Sequence, residues 1–413
     1  MSASNLVALA AGVRKALASP LAHAVKDEAG RRARNELLDT LPDLQRALEG
    51  PKDTLIRTTW SPLNVVALQT VNRHQIGKHV PANGTISYKE LSEKIKFPES
   101  RLRRILRYSM TQRIFHEPEL NQVAHTPVSR LMADDKNMQS WIALITDLFA
   151  PVVTHANDAF ERWPASSSPK ETAVAAWKGS ETTWFEEVAA SKIGLSGFRE
   201  GMECVGSGEG WSTSALAENY PWGEFGRGTV VDIGGASGHA CVPIAEAFPD
   251  LKFIVQDLEM GDELEKQHRT LLPAAVQARI NFMSHDFFTE QPVKDADVYF
   301  FRCTLHNWSD AFVVKALRAL VPALKPGARV VIQDNGLAPP GTIGLTEESN
   351  QRQVCTRRGN YVLRSITTNK WQDHGFHVDV PDQLQGARAG RLESLVRRGG
   401  SQISVDWGQA AGG

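Results

Sequence analysis

His306 stands in the run Leu305-His306-Asn307-Trp308-Ser309-Asp310, just past an apolar stretch at 297–302 that reads as a strand. An imidazole titrates near neutrality, so it suits removal of a proton from a hydroxyl of pKa about 10 when that hydroxyl faces an electrophile. By position alone, a loop histidine that caps local structure is an equal reading. Asp334, at the end of the next apolar stretch, raises the catalytic reading. A carboxylate there would orient the imidazole as the third member of a triad does.

A second group lies upstream. From Val230 to Asp257 the chain reads VVDIGGASGHACVPIAEAFPDLKFIVQD: an apolar strand, a glycine cluster, a helical segment and a second strand, which is a βαβ pattern. Gly234, Gly235 and Gly238 suit a turn in which backbone approaches a ligand, since they lack a Cβ. Their order departs from the G-x-G-x-x-G that seats a pyrophosphate on a helix N-terminus, because the series runs Gly234, Ala236, His239. Asp232, two places before the first glycine, instead suits a cofactor with a cationic amino-acid end and no phosphate. Asp257, nineteen residues beyond Gly238, is near the spacing at which a carboxylate takes a ribose diol. An ordinary βα turn in an α/β domain is the plain alternative.

For these groups to meet, successive strand ends must lie side by side. Apolar runs at 229–233, 253–255, 280–283, 297–302 and 329–333 alternate with helical patterns, including a crossover helix at 315–324 closed by Lys325-Pro326-Gly327. That alternation predicts an α/β, Rossmann-like doubly wound sheet, which binds ligands past the carboxyl ends of its strands. Asp257, Asp286, Arg302 and Asp334 all fall there.

The chain sets 46 basic against 47 acidic residues, so no global field favours nucleic acid or an anionic membrane. Cys204, Cys241, Cys303 and Cys355 lack C-x-x-C spacing, which argues against a metal site and for a reducing, cytoplasmic setting. The N-terminal MSASNLVALAAGVRKALASPLAHAV reads as an amphipathic helix, because Arg14 and Lys15 interrupt its apolar residues. No window nears the roughly 18 apolar residues of a membrane span.

Ahead of the sheet the chain reads helical. Leu37, Leu38, Leu41, Leu44 and Leu48 recur at helical spacing up to a break at Pro51. Residues 86–95 form a short helix, a turn follows at Pro98, residues 99–110 form a second helix, and Ile114-Phe115 and Val123-Ala124 suit two short strands. Helix, turn, helix, ribbon is a winged-helix pattern. Arg101, Arg103, Arg104 and Arg107 on the second helix suit phosphate contacts, but without a basic excess a solvated or dimer-facing surface is the better reading. Between Met138 and Tyr220 helices are expected, with Trp141, Ile145, Leu148 and Phe149 on one face. Trp177, Trp184, Phe185, Phe198 and Met202 read more readily as core than as walls of a pocket for a flat substrate.

Asp232 to Gly238, Asp257, Asp286-Phe287, Arg302 and the LHNWSD hexapeptide together resemble the cation-independent, S-adenosylmethionine-dependent O-methyltransferases of plant caffeate and flavonoid type, the fungal polyketide branch above all, over roughly residues 30–353. The resemblance implies S-adenosyl-L-methionine as cofactor, a small aromatic or polyketide-like substrate, and no metal, nucleic acid or membrane. It also implies a homodimer whose N-terminal helical, winged-helix domain closes over the partner's pocket. Carried over residue by residue, it implies that Gly234 and Gly235, with Gly238 completing the turn, approach the methionine part. It implies that Asp257 accepts from the ribose, Leu258 lies against adenine, Asp286 and Phe287 hold the adenine edge and face, and Arg302 lines the same pocket. His306 is then the general base.

Two features depart from the family's pattern. Ala236 stands where a third glycine is frequent, and after Gln353 the chain loses the expected acidic tract, with Thr368-Asn369-Lys370-Trp371 where a second carboxylate would flank His306. The expected domains are 1–130, helical and winged-helix, for dimerisation; 131–220, a helical connector lining the substrate pocket; 221–353, binding the cofactor; and 354–413, a divergent segment in which poor order is the expectation, with a last short strand at 403–407. The altered tail leaves a second reading, a cofactor-binding protein of the same fold that assists a cyclisation or dehydration without methyl transfer.

Overall fold

A computed structural model describes residues 11–13, 28–206, 213–218, 220–258, 262–335, 361–367 and 404–406. The expected N-terminal amphipathic helix falls almost wholly outside these residues, as does the 368–371 stretch. Helix α1 (Glu28–Thr59) breaks where Gly50 takes φ 78°, immediately before Pro51. Leu37, Leu48 and Leu55 on it stay 61%, 61% and 66% exposed.

Next comes a three-stranded sheet threaded through two helices: β1 (Ile86–Ser87), α2 (Tyr88–Ile95), α3 (Glu99–Thr111), β2 (His116–Glu119) and β3 (Gln122–Ala124), in strand order β1-β3-β2. Ser87 starts α2 as one half of a capping box with Glu90. Apolar residues from β1, α2, α3, β3 and the turn before β2, among them Ile86, Tyr88, Leu91, Leu102, Leu106, Phe115 and Val123, meet in one core. The first ribbon strand lies two residues later than the sequence pattern implied. Arg113 and Phe115 take positive φ, and Ile114 and Phe115 turn into the core, so the polar His116–Glu119 pairs instead.

The connector contains α4 (Lys136–Ala143), α5 (Trp184–Ala190) and α6 (Gly194–Gly206). Between α4 and α5 a π-helical turn, Leu144–Phe149, changes the period: Leu144, Thr146 and Leu148 are buried while Phe149 is exposed, so the expected common face of Trp141 to Phe149 does not form. Trp177, Trp184, Phe198 and Met202 pack around Leu144, Leu148 and Val188, as core rather than as open walls.

The large sheet then forms from β4 (Thr229–Ile233), α7 (Cys241–Ala247), β5 (Lys252–Asp257), α8 (Asp262–Leu271), β6 (Ile280–Ser284), β7 (Val298–Arg302), α9 (Asp310–Leu320), β8 (Arg329–Asn335), β9 (Tyr361–Thr367) and β10 (Ser404–Asp406). Its order is β10-β9-β8-β7-β4-β5-β6, with β4 to β8 parallel and β9 and β10 antiparallel. This is the expected doubly wound, Rossmann-like sheet, whose order reverses between β4 and β7 and opens a crevice there. Both faces are covered, so the strands are mostly apolar. Val230, Phe253, Val255, Phe300 and Val331 pack on one side, and Val231, Ile233, Tyr299, Phe301 and Ile332 on the other. Burying each such side chain contributes about 1.5–3 kcal/mol. The sequence pattern missed β9, which pairs along the whole of β8, whereas the expected last strand at 403–407 appears as β10.

Candidate active site

The end of β7 is built to double back. Cys303 takes φ 50° and donates its N–H to the Gln333 carbonyl at 2.9 Å, and the chain enters a 3-10 turn, Leu305–Asn307. A left-handed non-glycine residue costs about 1–2 kcal/mol, and here the turn brings His306 over the end of β8. Asp334 grips it twice: Nδ1 lies 2.6 Å from Oδ1, and the backbone N–H of His306 donates to Oδ2 at 2.9 Å. The two side chains are only 13% and 17% exposed. A carboxylate on Nδ1 keeps the proton there and leaves the Nε2 lone pair available. Downstream, Trp308 stacks on Phe185 of α5 with centroids 6.3 Å apart, and Ser309 Oγ donates to the Ser167 carbonyl at 2.9 Å. These contacts tie the His306 loop to the connector.

Beside it lies the glycine turn. Gly234 and Gly235 both donate N–H to the Gln256 carbonyl, at 2.8 and 3.1 Å, and Ala236 donates to Asp257 Oδ2 at 3.0 Å. Three successive amides are therefore spent on β5, which leaves no nest of N–H groups for a phosphate. The packing of the turn itself also requires glycine. A Cβ on Gly235 would sit 2.4 Å from Asp232 Oδ2, and one on Gly234 would sit 2.9 Å from Thr304 Cγ2. The missing side chains let the turn lie on its own sheet, rather than clearing space for a ligand on that side. Gly238, at φ 73°, likewise packs on Val255. Ala236 holds φ 47°, a conformation glycine would adopt freely, so its methyl brings backbone strain.

Under this turn Asp232 is 1% exposed. Its Oδ2 accepts from Cys241 Sγ at 3.2 Å, and its Oδ1 is buried without a hydrogen-bond partner. Burial pushes the carboxyl up to about 6, against the pull of Cys241 and the Arg302 cation. His239, immediately after Gly238, is held down to about 4 by burial and by Arg302, whose guanidinium lies 3.5 Å from its Nε2. Sequence reasoning passed over His239 and Cys241. Their place within three residues of the last glycine was the available signal.

The remaining candidates ring the crevice. Asp257 ends β5 with Oδ1 accepting from the Leu258 N–H at 2.8 Å, and Leu258 is 57% exposed. Asp286 is exposed past β6 and accepts from the Phe288 N–H at 2.9 Å. Phe287 turns partly into the core, edge-on to Phe301 and Trp308. So Asp232, the glycine turn, Asp257 and Arg302 share one corner and His306 and Asp334 the adjoining one, where Phe287 packs against Trp308 of the His306 loop. The orphan carboxylate oxygen of Asp232 and the absence of a phosphate nest both fit a cofactor with a cationic amino-acid end.

Because the folded Asp232 carboxyl titrates above its unfolded value of about 3.9, its contribution to stability is present at low pH and is lost as pH rises through about 6. In the cofactor-free protein, Asp232→Asn should therefore gain thermal stability over the parent above pH 6 and lose that advantage near pH 4. An equal difference at both pH values would contradict the burial assigned to this carboxylate.

Comparison with known proteins gives the family. The O-methyltransferase domain family matches residues 224–347. The chain is 34% identical to O-methyltransferase VdtC of Byssochlamys spectabilis over 90% of this chain and 85% of that protein. It is 35% identical to a chlorophenol O-methyltransferase of Trichoderma longibrachiatum over 80% of this chain and 71% of that one. Among solved structures, OxaC in complex with sinefungin and meleagrin superposes with a TM-score of 0.70 at 20% identity, covering 97% of each chain. A protein described as a pericyclic reaction enzyme gives 0.68 at 23% identity, covering 83% of this chain and 87% of that one. The chain belongs to the O-methyltransferase family, whose methyl donor is S-adenosylmethionine.

Proposed function

We propose that this enzyme methylates a phenolic or enolic hydroxyl of a small aromatic, polyketide-like secondary metabolite, with His306 as general base and Asp334 as the carboxylate that orients it. The observation that carries this reading is the double hold of Asp334 on the His306 ring and backbone. With its proton fixed on Nδ1, His306 offers Nε2 to the acceptor hydroxyl and takes its proton. The imidazolium so formed stays paired with Asp334. When bound, S-adenosylmethionine supplies an electrophilic methyl group on its sulfonium.

Asp257 and Leu258 would meet the ribose and adenine, Asp286 and Phe287 the rest of the base, and Gly234, Gly235, Gly238, Asp232 and Arg302 the methionine side. The orienting role expected of a second carboxylate near 368–371 is served within the described residues by Asp334 alone. An intact base pair of this kind favours methyl transfer over a cofactor-assisted cyclisation or dehydration. His306→Ala should lower turnover by about 10²–10⁴ while calorimetry finds S-adenosylhomocysteine bound as in the parent. Undiminished methylation by that variant would overturn the base assignment.

We further propose a cytoplasmic homodimer in which residues 1–130 form a winged-helix dimerisation domain, 131–220 line the acceptor pocket, 221–353 hold the cofactor and 354–413 form a divergent C-terminal segment. The exposed Leu37, Leu48 and Leu55 of α1 and the 62% exposed Trp60 support a protein partner for that helix. Nucleic acid is a poor fit for α3. Arg103 pairs with Glu99, and Arg107 pairs with Glu117 at 2.8 Å, a contact that holds the Glu117 carboxyl down to about 2. No helix among the described residues is long and apolar enough to cross a membrane. Sedimentation velocity should give twice the chain mass for the parent, and Leu48→Glu with Leu55→Glu should shift it to the single-chain mass. A parent that sediments as a monomer at micromolar concentration contradicts the dimer.

A further inference from the structure

Gln333 lies in β8 one residue before Asp334, and the pleat sends the two side chains to opposite faces. Asp334 faces His306. Gln333 is on the face that Val331 shares with Phe300 and Val230. It is 3% exposed, and its amide Oε1 is buried with no hydrogen-bond partner. Native interiors rarely leave such a group unmet, because the lost hydration costs about 1–3 kcal/mol.

The same face holds a second orphan acceptor, Asp232 Oδ1. The parallel register places β7 between them: Gln333 lies opposite Arg302, and Asp232 lies opposite Phe300, two residues before Arg302 on the same side. The Arg302 cation reaches Asp232 electrostatically, as its pull on that carboxyl records. An arginine on the strand between two residues with unmet oxygens is the complement of an α-amino acid zwitterion, which brings N–H donors on an ammonium and acceptors on a carboxylate. A ligand without N–H or O–H donors would leave both oxygens unmet.

We propose that Gln333 is a cofactor-binding residue whose amide oxygen accepts from the ammonium of the amino-acid end of S-adenosylmethionine, alongside Asp232, while Arg302 faces the carboxylate. This deepens the cofactor assignment and rests on it. In this arrangement β8 serves the reaction on both faces, with Asp334 holding the base and Gln333, its chain neighbour, holding the donor molecule.

The test uses two probes: S-adenosylhomocysteine, which has the amino-acid end, and 5′-methylthioadenosine, which lacks it. By calorimetry, Gln333→Leu and the closer-sized Gln333→Met should each weaken S-adenosylhomocysteine about tenfold or more, in line with loss of one hydrogen bond to a charged group. Their affinity for methylthioadenosine should match the parent. Their cofactor-free thermal midpoints should equal or exceed the parent's, since an unmet polar group has been removed. Unchanged S-adenosylhomocysteine affinity, or an equal loss for both probes with a lowered midpoint, would overturn the role of Gln333. A parent that binds neither probe would instead sink the cofactor assignment beneath it.

Discussion

In the proposed mechanism the chemistry depends on one carboxylate holding one imidazole at two points. A single Nδ1 contact would fix the tautomer but leave the ring free to swing about its backbone. Asp334 also accepts the backbone N–H of His306, so the side chain and the peptide that carries it are referenced to the same group. The geometry needs a residue at the end of β8 and a chain that turns back from the end of the adjacent β7. Cys303, in a left-handed conformation, makes that turn, and the Trp308 and Ser309 contacts to the connector keep it in place. Strain at the site is thus balanced by packing around it.

A second constraint operates at the glycine turn. Three amides bonded to β5 press the turn onto the sheet, and the price of that closeness is a buried, half-satisfied carboxylate, Asp232. In the absence of ligand its ionised form is disfavoured by burial. A cationic ligand end would supply the missing charge and hydrogen-bond donors together, and binding energy and cofactor selectivity would then have one physical origin. The sheet that supports all this is ordinary in its energetics: two mostly apolar faces, both covered, with polar residues chiefly where the strands run out.

Much of this was legible in the chain itself, for stated reasons. Strand periodicity located β4 to β8 to within a residue or two, and the succession of strand ends brought Asp257, Arg302, His306 and Asp334 into one neighbourhood without any knowledge of contacts. The glycine order correctly excluded a phosphate nest. What escaped was local geometry that tertiary packing decides. The π-helical turn at Leu144–Phe149 altered a face that a 3.6 period assigned wrongly, and the ribbon slid because Ile114 and Phe115 were drawn into the core. Strand β9 was missed because its residues, YVLRSIT, alternate poorly and follow a stretch rich in arginine and glycine. The amide of Gln333 was invisible for a different reason: an unmet hydrogen bond exists only once the neighbours are known.

The central claim is a tautomer and an orientation, and both are open to direct observation. In protein labelled with ¹⁵N at histidine, proton–nitrogen correlation near neutral pH should show His306 with a strongly deshielded proton on Nδ1 and an unprotonated Nε2, and Asp334→Asn should abolish that pattern. A proton resident on Nε2 in the parent, or a spectrum unaltered by Asp334→Asn, would contradict the account.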